Sequence, residues 1–598
     1  FRSTDGGKTL TSIGNGTHGD HHDLWVDPDN PQHLVLGNDG GGAVSLTGGQ
    51  GEGGRGWSGQ EFPTGQFYHV ITTKHVPYHV CGAQQDSTTL CVPSNTNQGG
   101  GRGGGGNATP PPTYTAGGGE PGYIAPDPKD PDVFFAGGNN GTFITRLNRK
   151  TGELREVGPY PRLFSGEPSS ALVERIQWTF PIIFSPVDPN VLYTATQHVW
   201  KTTNGGQSWQ KISRDLTRHD PKTMGESGGP ITHDMNSPEV YATVFALGPG
   251  KTDVNVIWAG SDDGLIHVTR DGGKTWTNVT PKDLPDFGRV SIIDASAFDA
   301  GTAYVAVKKP LLNDFTPYLF RTHDFGKTWT KITNGIGALD YVHAVREDPT
   351  RKGLLYAGTQ HGIYVSYNDG DRWESLSLNL PDTQVSDIIV EKNDLVITTH
   401  GRGFYILDHL GPLREHDAAV ADVQLFKTED GIRSAGGARI PYLLKKSVQK
   451  LTIEILDGKG QVLRTFTGSA PPAGGRGGGR SGGTGAGSEG GDAEGGGGGR
   501  GGFGQVNPPM TVGSHNVTWD LRTASATSFP GMVLWGGNVA GPSVLPGNYQ
   551  VRLTADGKTL TQPLIVKRHP LINVTDADLQ EQFTLASQIR DKLSEANN

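Results

Sequence analysis

The sequence predicts an all-β chain: a seven-bladed β-propeller, then a β-sandwich, then one terminal α-helix. Three observations carry this. A short turn sequence recurs five times, at Ser3–Leu10, Thr202–Trp209, Thr269–Trp276, Thr322–Trp329 and Ser366–Trp373. Short apolar runs of strand length accompany the copies at regular intervals between about residues 14 and 410, and from residue 413 the pattern changes to alternating apolar and polar positions. Copies in register with flanking strands mark repeated supersecondary units. Short, evenly spaced strands with Gly-rich turns favour a propeller.

Each turn reads Ser or Thr, any residue, Asp or Asn, any residue, Gly, two more, then Trp, with Leu10 in the Trp position of the first copy. The short side chains of Asp5, Asn204, Asp271, Asp324 and Asn368 can accept bonds from nearby backbone N–H groups. The Gly can take a positive φ and the Trp can bury a large ring, so these residues are expected to hold blade corners. Between them runs a unit with an Asp-Pro turn and a strand of the type Leu355-Tyr356-Ala357-Gly358. Such units start near residues 20, 67, 120, 178, 230, 290 and 341. A further set, Asp387–Val390, Leu395–Thr399 and Phe404–Leu407, either closes the ring or belongs to a neighbouring propeller. The expected division is 1–13, a remnant of a preceding blade or propeller; 14–411, the propeller; 412–570, the sandwich; and 571–598, an amphipathic helix.

Composition bounds the rest. A chain of 598 residues exceeds one core. Its 90 glycines cluster, above all in 471–504, which is too poor in apolar residues to order itself and reads as a flexible loop within the sandwich. A net charge of −9 supplies no global basic field, so neither nucleic acid nor an anionic membrane surface is an expected partner. No apolar run is long enough to span a bilayer. The two cysteines, Cys81 and Cys91, flank a hairpin centred near Asp86 that would set them opposite one another, which predicts a disulfide; two buried thiols are the alternative. A disulfide favours an exported protein, extracellular or periplasmic. In the last segment Thr575 is a fitting N-cap with Asp576 and Asp578 in the first turn, and Leu579, Phe583, Ala586, Ile589 and Leu593 form an apolar face.

In a propeller these turns join the third strand to the outer one, so the loops joining second to third strands emerge on the opposite face. Those loops are polar: Asn38-Asp39, Gln85-Asp86, Asn139-Asn140, Gln197-His198, Asp262-Asp263, Lys308-Lys309, Gln360-His361 and His400-Gly401-Arg402. Turn chemistry explains Asn and Asp but not Gln, His, Lys and Arg. The expected binding surface therefore comprises His21, Asp23, Asn38, Asp39, Gln85, Asp86, Asn140, His198, Asp263, His361, His400 and Arg402. The dense run Asp20, His21, His22, Asp23 has ligand chemistry for a transition ion, yet its spacing matches no known signature and adjacent strand residues point apart. A bound metal ion is thus set against hydrogen bonds to neighbouring blades, and no other cofactor is expected. Glycoside hydrolysis needs two facing carboxylates, for which Asp39, Asp86, Glu120, Asp262 and Asp263 are candidates. A sialidase would also need clustered arginines, and only Arg175 and Arg402 stand out.

The five turns resemble Asp-box (BNR) repeats, seen in sialidases, xyloglucan hydrolases and the sortilin ectodomain. The motif order His18–Trp25, Gly37–Gly41, Thr269–Gly273, Phe298–Tyr304 and Thr398–Gly403 resembles large exported bacterial proteins of the sortilin-like or glycosyl-hydrolase-like type, over most of the chain. In that family another propeller normally precedes this one. His515–Asp520 followed by Leu545–Tyr549 is similar to the Ig-like modules of flagellar hook-capping proteins, which implies an Ig-like sandwich. The expected function is an exported binding or assembly module for a polysaccharide or protein partner, with a preceding propeller or self-assembly also in view. A glycoside hydrolase, xyloglucanase-like or sialidase-like, is the alternative.

Overall fold

The computed structural model describes residues 1–51, 56–60, 62, 64–95, 112–120, 122–138, 143–162, 166–228, 233, 240–416, 422–433, 436–469, 507–532 and 538–598. The chain divides into two compact units, Phe1–Val92 with Thr113–Leu407, and Pro93–Pro112 with Asp408–Asn598. Among the described residues the first unit holds eight small antiparallel sheets, each a meander of three or four strands in chain order. They are labelled I to VIII here: 21–45, 71–93, 124–156, 182–211, 244–278, 289–331, 342–375 and 384–407. Burial falls outward along the four-stranded meanders III to VII, whereas the first strand of I, His21–Val26, is exposed throughout. The second strands Val133–Gly137, Ile257–Ser261 and Leu355–Thr359 are buried throughout, whereas the outer strands Gln210–Lys211, Thr277–Asn278 and Thr330–Lys331 are exposed.

The sheets are propeller-like blades that pack in succession, II on III and onward to VIII, and VIII returns to II. Gly358 shows why the second strand ends in Gly: a Cβ there would stand 2.7 Å from Val385 Cγ1 on the first strand of the next sheet. The set 384–407 therefore closes against II, where Phe67 N donates to Thr399 O at 3.1 Å and Thr72 Oγ1 to Glu391 at 2.7 Å. Sheet I is packed on Ile13 instead, through Trp57, whose indole N–H donates to Ile13 O.

That contact belongs to a repeating latch. Trp209 donates to Val157 O at 2.7 Å, Trp276 to Ile212 O at 2.8 Å, Trp329 to Val279 O at 2.7 Å and Trp373 to Ile332 O at 2.8 Å. Each acceptor lies just beyond the outer strand of the preceding sheet, so the turn fastens one blade to the one before. Within the turn Asp271 accepts from Thr275 N and Thr275 Oγ1 at 2.9 and 2.7 Å, and from Thr269 Oγ1 at 2.8 Å, which holds its carboxyl down at about 2. Gly273 has φ +97°, and an added Cβ would lie 2.8 Å from Ile212 Cβ, so the Gly serves both the turn and the close approach of the preceding blade.

Ring closure also runs along a buried chain of charges. Lys251 pairs with Asp294 at 2.9 Å, Asp294 faces Arg346 at 4.0 Å, Arg346 pairs with Asp387 at 2.8 Å, and Asp387 bonds His69 Nδ1 at 3.1 Å. His69 then stacks on Tyr123 with ring centroids 3.7 Å apart. These residues come from V, VI, VII, VIII and the segments leading into II and III, so the chain crosses the closure. Burial pushes the His69 pKa down despite Asp387; burial alone would raise Asp387, but Arg346 and His69 hold it low. The pair is a carboxylate accepting from a neutral imidazole.

In the second unit, the sheet of Val423–Leu425, Ala438–Leu444 and Gly513–Trp519 packs on a five-stranded sheet built around Leu451–Leu456 and Gly547–Ala555. Ile440, Tyr442 and Trp519 meet Ile453, Val551 and Leu553 in one core, as the alternating pattern requires. The helix Asp576–Asn597 starts in a capping box between Thr575 and Asp578. It docks on the same unit: Leu579 is buried, Arg433 donates to Gln582 at 3.0 Å, and Asn597 donates to Thr527 O at 2.7 Å. Ile589, expected on the apolar face, is 60% exposed, because the docked side runs through Arg590 and Leu593. The Gly-rich tract 471–504 lies outside the described residues.

Two outcomes follow, both read by chemical denaturation. Trp276→Phe loses the indole hydrogen bond and the second ring that packs on the preceding blade, a cost of about 2 kcal/mol; Gly273→Ala forces a positive φ and a contact too close to Ile212, a cost of about 2–3 kcal/mol. Asp387→Asn leaves Arg346 short of its main counter-charge and costs about 3 kcal/mol or more. Adding Arg346→Met restores part of that loss, and the double-mutant cycle gives a coupling above about 1 kcal/mol.

Candidate functional site

The loops between second and third strands open on the face opposite the latches, where side chains from several sheets meet around the inner edge of the ring. Lys308, at the end of strand Ala303–Lys309 in VI, places its Nζ 3.0 Å from His343 Nδ1 on VII. His343 Nε2 reaches Gln360 Oε1 at 3.5 Å, and its ring lies 6.4 Å from that of His400 on VIII. His400 Nδ1 accepts from Gln384 at 2.9 Å and meets Tyr68, ahead of II, edge-on at 5.5 Å. Tyr68 donates to Gln85 and interacts with Trp178, ahead of IV. Phe315 and Tyr341 extend the aromatic run on the other side, with centroids 6.0 Å apart and Tyr341 4.8 Å from His343.

The electrostatics of this mouth are one-sided. Arg289 stands directly opposite Lys308 across the first two strands of VI and lies over the Phe245 ring at 4.8 Å. Burial, then the Arg289 charge, pushes Lys308 down to about 7. Burial, then Lys308, pushes His400 down to about 3 and His343 well below its ordinary value. Both imidazoles are neutral at physiological pH and His343 is buried, so the site offers the His400 ring and the Arg289 guanidinium beside an amine that titrates at about 7.

A carboxylate group gathers at the other side. Asp20 and Asp39 from I and Asp86 from II bring ligand oxygens within 4.8 Å of one another. Glu120 accepts from Asp86 N at 2.7 Å, Gln85 reaches Asp86 at 3.1 Å, and His22 bonds Asp39. His21 turns away to Thr17 at 3.0 Å, and Asp23 accepts from Leu24 N at 2.8 Å, so the run Asp20–Asp23 does not converge as one set of ligands. Asn38 holds the loop around it, accepting from Gln60 at 2.6 Å.

Other expected site residues hold the frame. Asp262 and Asp263 are each 1% exposed. Asp262 accepts from Thr243 N and Oγ1, both at 2.8 Å, and burial pushes its carboxyl up to about 7. Asp263 accepts from Ser261 at 2.6 Å and Arg218 N at 2.8 Å. His198 is engaged by Glu174 at 3.0 Å; burial alone would raise that carboxyl, but His198, Lys211 and Thr196 bring it down to about 2. His361 faces Asp382 at 2.9 Å in the open. Arg175 is buried on Asp215 at 2.6 Å, while Arg402 is exposed. Asn140 lies outside the described residues. Cys81 and Cys91 are joined, with Cα atoms 4.1 Å apart.

Sequence reasoning passed over Arg289, His343, Gln384, Tyr68 and Trp178. All sit on or just before first strands, where each reads as one polar or aromatic position among strand residues. The available signal was positional: in II, IV, VI, VII and VIII a polar or aromatic residue stands within four positions of the start of the first strand.

No protein-family profile matches the sequence. The chain is 24% identical over 245 residues to an oligoxyloglucan-reducing end-specific xyloglucanase of Emericella nidulans, a match covering 40% of this chain and 27% of that protein. It therefore spans about a quarter of that relative's length. Among solved structures it is similar to a GH74 xyloglucanase from Xanthomonas campestris, at 14% identity and TM-score 0.38, covering 64% of this chain and 58% of that one. It is also similar to YCF48 from Cyanidioschyzon merolae, at 14% identity and TM-score 0.33, covering 66% of this chain and 96% of that one. The Emericella xyloglucanase is a distant relative of the chain.

Proposed function

We propose that this protein is an exported polysaccharide-binding β-propeller whose ring comprises the seven sheets II to VIII, and that it takes its ligand at the mouth opposite the Asp-box latches. The observation that carries the reading is the continuous run Trp178–Tyr68–His400–His343–Lys308, contributed by five different sheets or their lead-in segments. Aromatic faces beside amide, imidazole and ammonium groups suit a saccharide, which presents apolar ring faces and hydroxyls together. The xyloglucan oligosaccharide named for the Emericella relative supports the same ligand class. The disulfide between Cys81 and Cys91 favours an extracellular or periplasmic setting. The second unit we read as an Ig-like module serving attachment or assembly, in the manner of a sortilin-like exported protein.

A glycoside hydrolase is the second reading, and the convergence of Asp20, Asp39 and Asp86 favours it over any use of Asp262 or Asp263. The latter two are buried and already spent on Thr243, Ser261 and Arg218.

Titration calorimetry of the whole chain against xyloglucan, mixed-linkage glucan and pectic oligosaccharides tests the proposal. Tyr68→Ala and Trp178→Ala are expected to weaken binding at least tenfold, and Lys274→Ala, on the latch face, to leave it unchanged. Binding that survives both mouth variants would overturn the assignment. Release of reducing ends that disappears in Asp39→Asn and Asp86→Asn would replace binding by hydrolysis.

A further inference from the structure

Lys308 and Arg289 are cations directly opposite one another on neighbouring strands, an arrangement that is unfavourable unless something of opposite charge lies between or beside them. Among the described residues neither has a carboxylate within ion-pairing distance: Lys308 bonds only the imidazole of His343, and Arg289 lies on Phe245. The titratable groups that feel these charges are His343, His400, His69, Asp262 and Tyr241, the last a phenol held up by burial. His343, His400 and His69 feel the Lys308 charge from VII, VIII and the lead-in to II, and all three have lowered pKa values. The carboxylate felt by Arg289 is Asp262, whose oxygens are taken by Thr243 and whose pKa is raised by burial. Asp387, farther along the wall, is committed to Arg346 and His69. The mouth thus holds Arg289, and Lys308 whenever it is protonated, with no committed counter-charge among the described residues, beside rings that stay neutral.

We propose that Arg289 and Lys308 form a subsite for the oxyanion of an acidic polysaccharide, a uronate carboxylate or a sulfate ester, with the exposed Phe315 ring, backed by the buried Tyr341, beside the sugar that carries it. The inference rests on the saccharide reading above and names the class of saccharide. A guanidinium can hold an oxyanion through two parallel N–H bonds while an ammonium adds a point charge, so the pair matches a planar carboxylate or one edge of a sulfate. Phe315, 41% exposed, continues through Tyr341 to His343, which sets an apolar platform next to the cations. The oxyanion would bring its own charge to a place where the protein has none. Binding it also favours the protonated form of Lys308, which otherwise loses its proton near pH 7.

The test is calorimetry on the full chain with three probes of equal length: oligogalacturonate, a sulfated galactan oligosaccharide and a neutral xyloglucan oligosaccharide, each at pH 6 and pH 8.5. The acidic probes are expected to bind at least tenfold more tightly than the neutral one at pH 6. They should weaken several-fold by pH 8.5 while the neutral probe does not change. Lys308→Met should erase the acidic margin, bringing the affinity for the acidic probes down to that for the neutral one. Lys308→Arg should keep the margin and remove its pH dependence, because a guanidinium stays charged throughout. Whichever acidic probe binds more tightly identifies the oxyanion. Equal binding of acidic and neutral probes would overturn the inference while leaving the saccharide reading standing. No binding of any probe at millimolar concentration would remove both. If Lys308→Met fails to fold, the margin and pH slope of the unmodified protein still decide.

Discussion

A single hydrogen bond, from the indole N–H of one turn to a backbone carbonyl of the preceding sheet, sets the conditions for the rest of the first unit. It demands a Trp of fixed reach, a Gly with no Cβ where Val157, Ile212, Val279 or Ile332 presses in, and an Asp or Asn that holds the turn rigid. The acceptor is a carbonyl beyond the outer strand, a group that would otherwise need solvent, so the bond satisfies both partners at once. Since the turns of IV to VII each point backward to the preceding sheet, the latches orient these sheets consistently and commit one face of the ring to structure. Sheet I follows the same rule with Ile13 and Trp57, although its Gly and Trp are separated by an insertion. Degenerate sequence is tolerated where the geometry of the latch survives.

Latches tie neighbours together but leave the inner wall to be filled, and there the chain uses charge. Lys251, Asp294, Arg346, Asp387 and His69 alternate in sign or polarity so that each buried charge has a partner on the next sheet. Buried pairs contribute little net stability against apolar substitutes, yet breaking one is expensive. A wall built this way therefore discriminates strongly against wrong pairings of sheets. The closure of VIII on II, the longest-range event in the fold, coincides with one of these pairs, Asp387 with His69.

The mouth departs from that rule. Around it the charges separate: cations on VI, neutral imidazoles on VII and VIII, carboxylates near I, II and III. Where the wall neutralises itself, the mouth leaves Arg289 and Lys308 facing one another, and the low polarity around them is what presses the neighbouring imidazoles into their neutral form. Departures from self-consistency of this kind concentrate at functional sites. A face polarised from one rim to the other is suited to hold an extended ligand in one direction.

Local chemistry alone determined much of this protein. The turn motif announces its own hydrogen bonds, since Asp271 and its counterparts bond residues within four positions. The alternation in 450–554 announces a sheet with one buried face, and Thr575 with Asp578 announces the start of a helix, because all of these depend on neighbours in sequence. The hairpin around Asp86 likewise brought Cys81 and Cys91 together by local register. What only the tertiary structure decided are the contacts between sheets: that residues 384–407 close on II, that Asp387 answers both Arg346 and His69, and that no carboxylate among the described residues stands beside Lys308. Asp262, Asp263 and Arg175 read as available charges in the sequence, and packing turned each inward to serve backbone or side-chain groups of the frame. Whether a polar residue is engaged or free depends on which sheet arrives next to it, and that is set by the closed path of the chain, to which no single stretch of sequence has access.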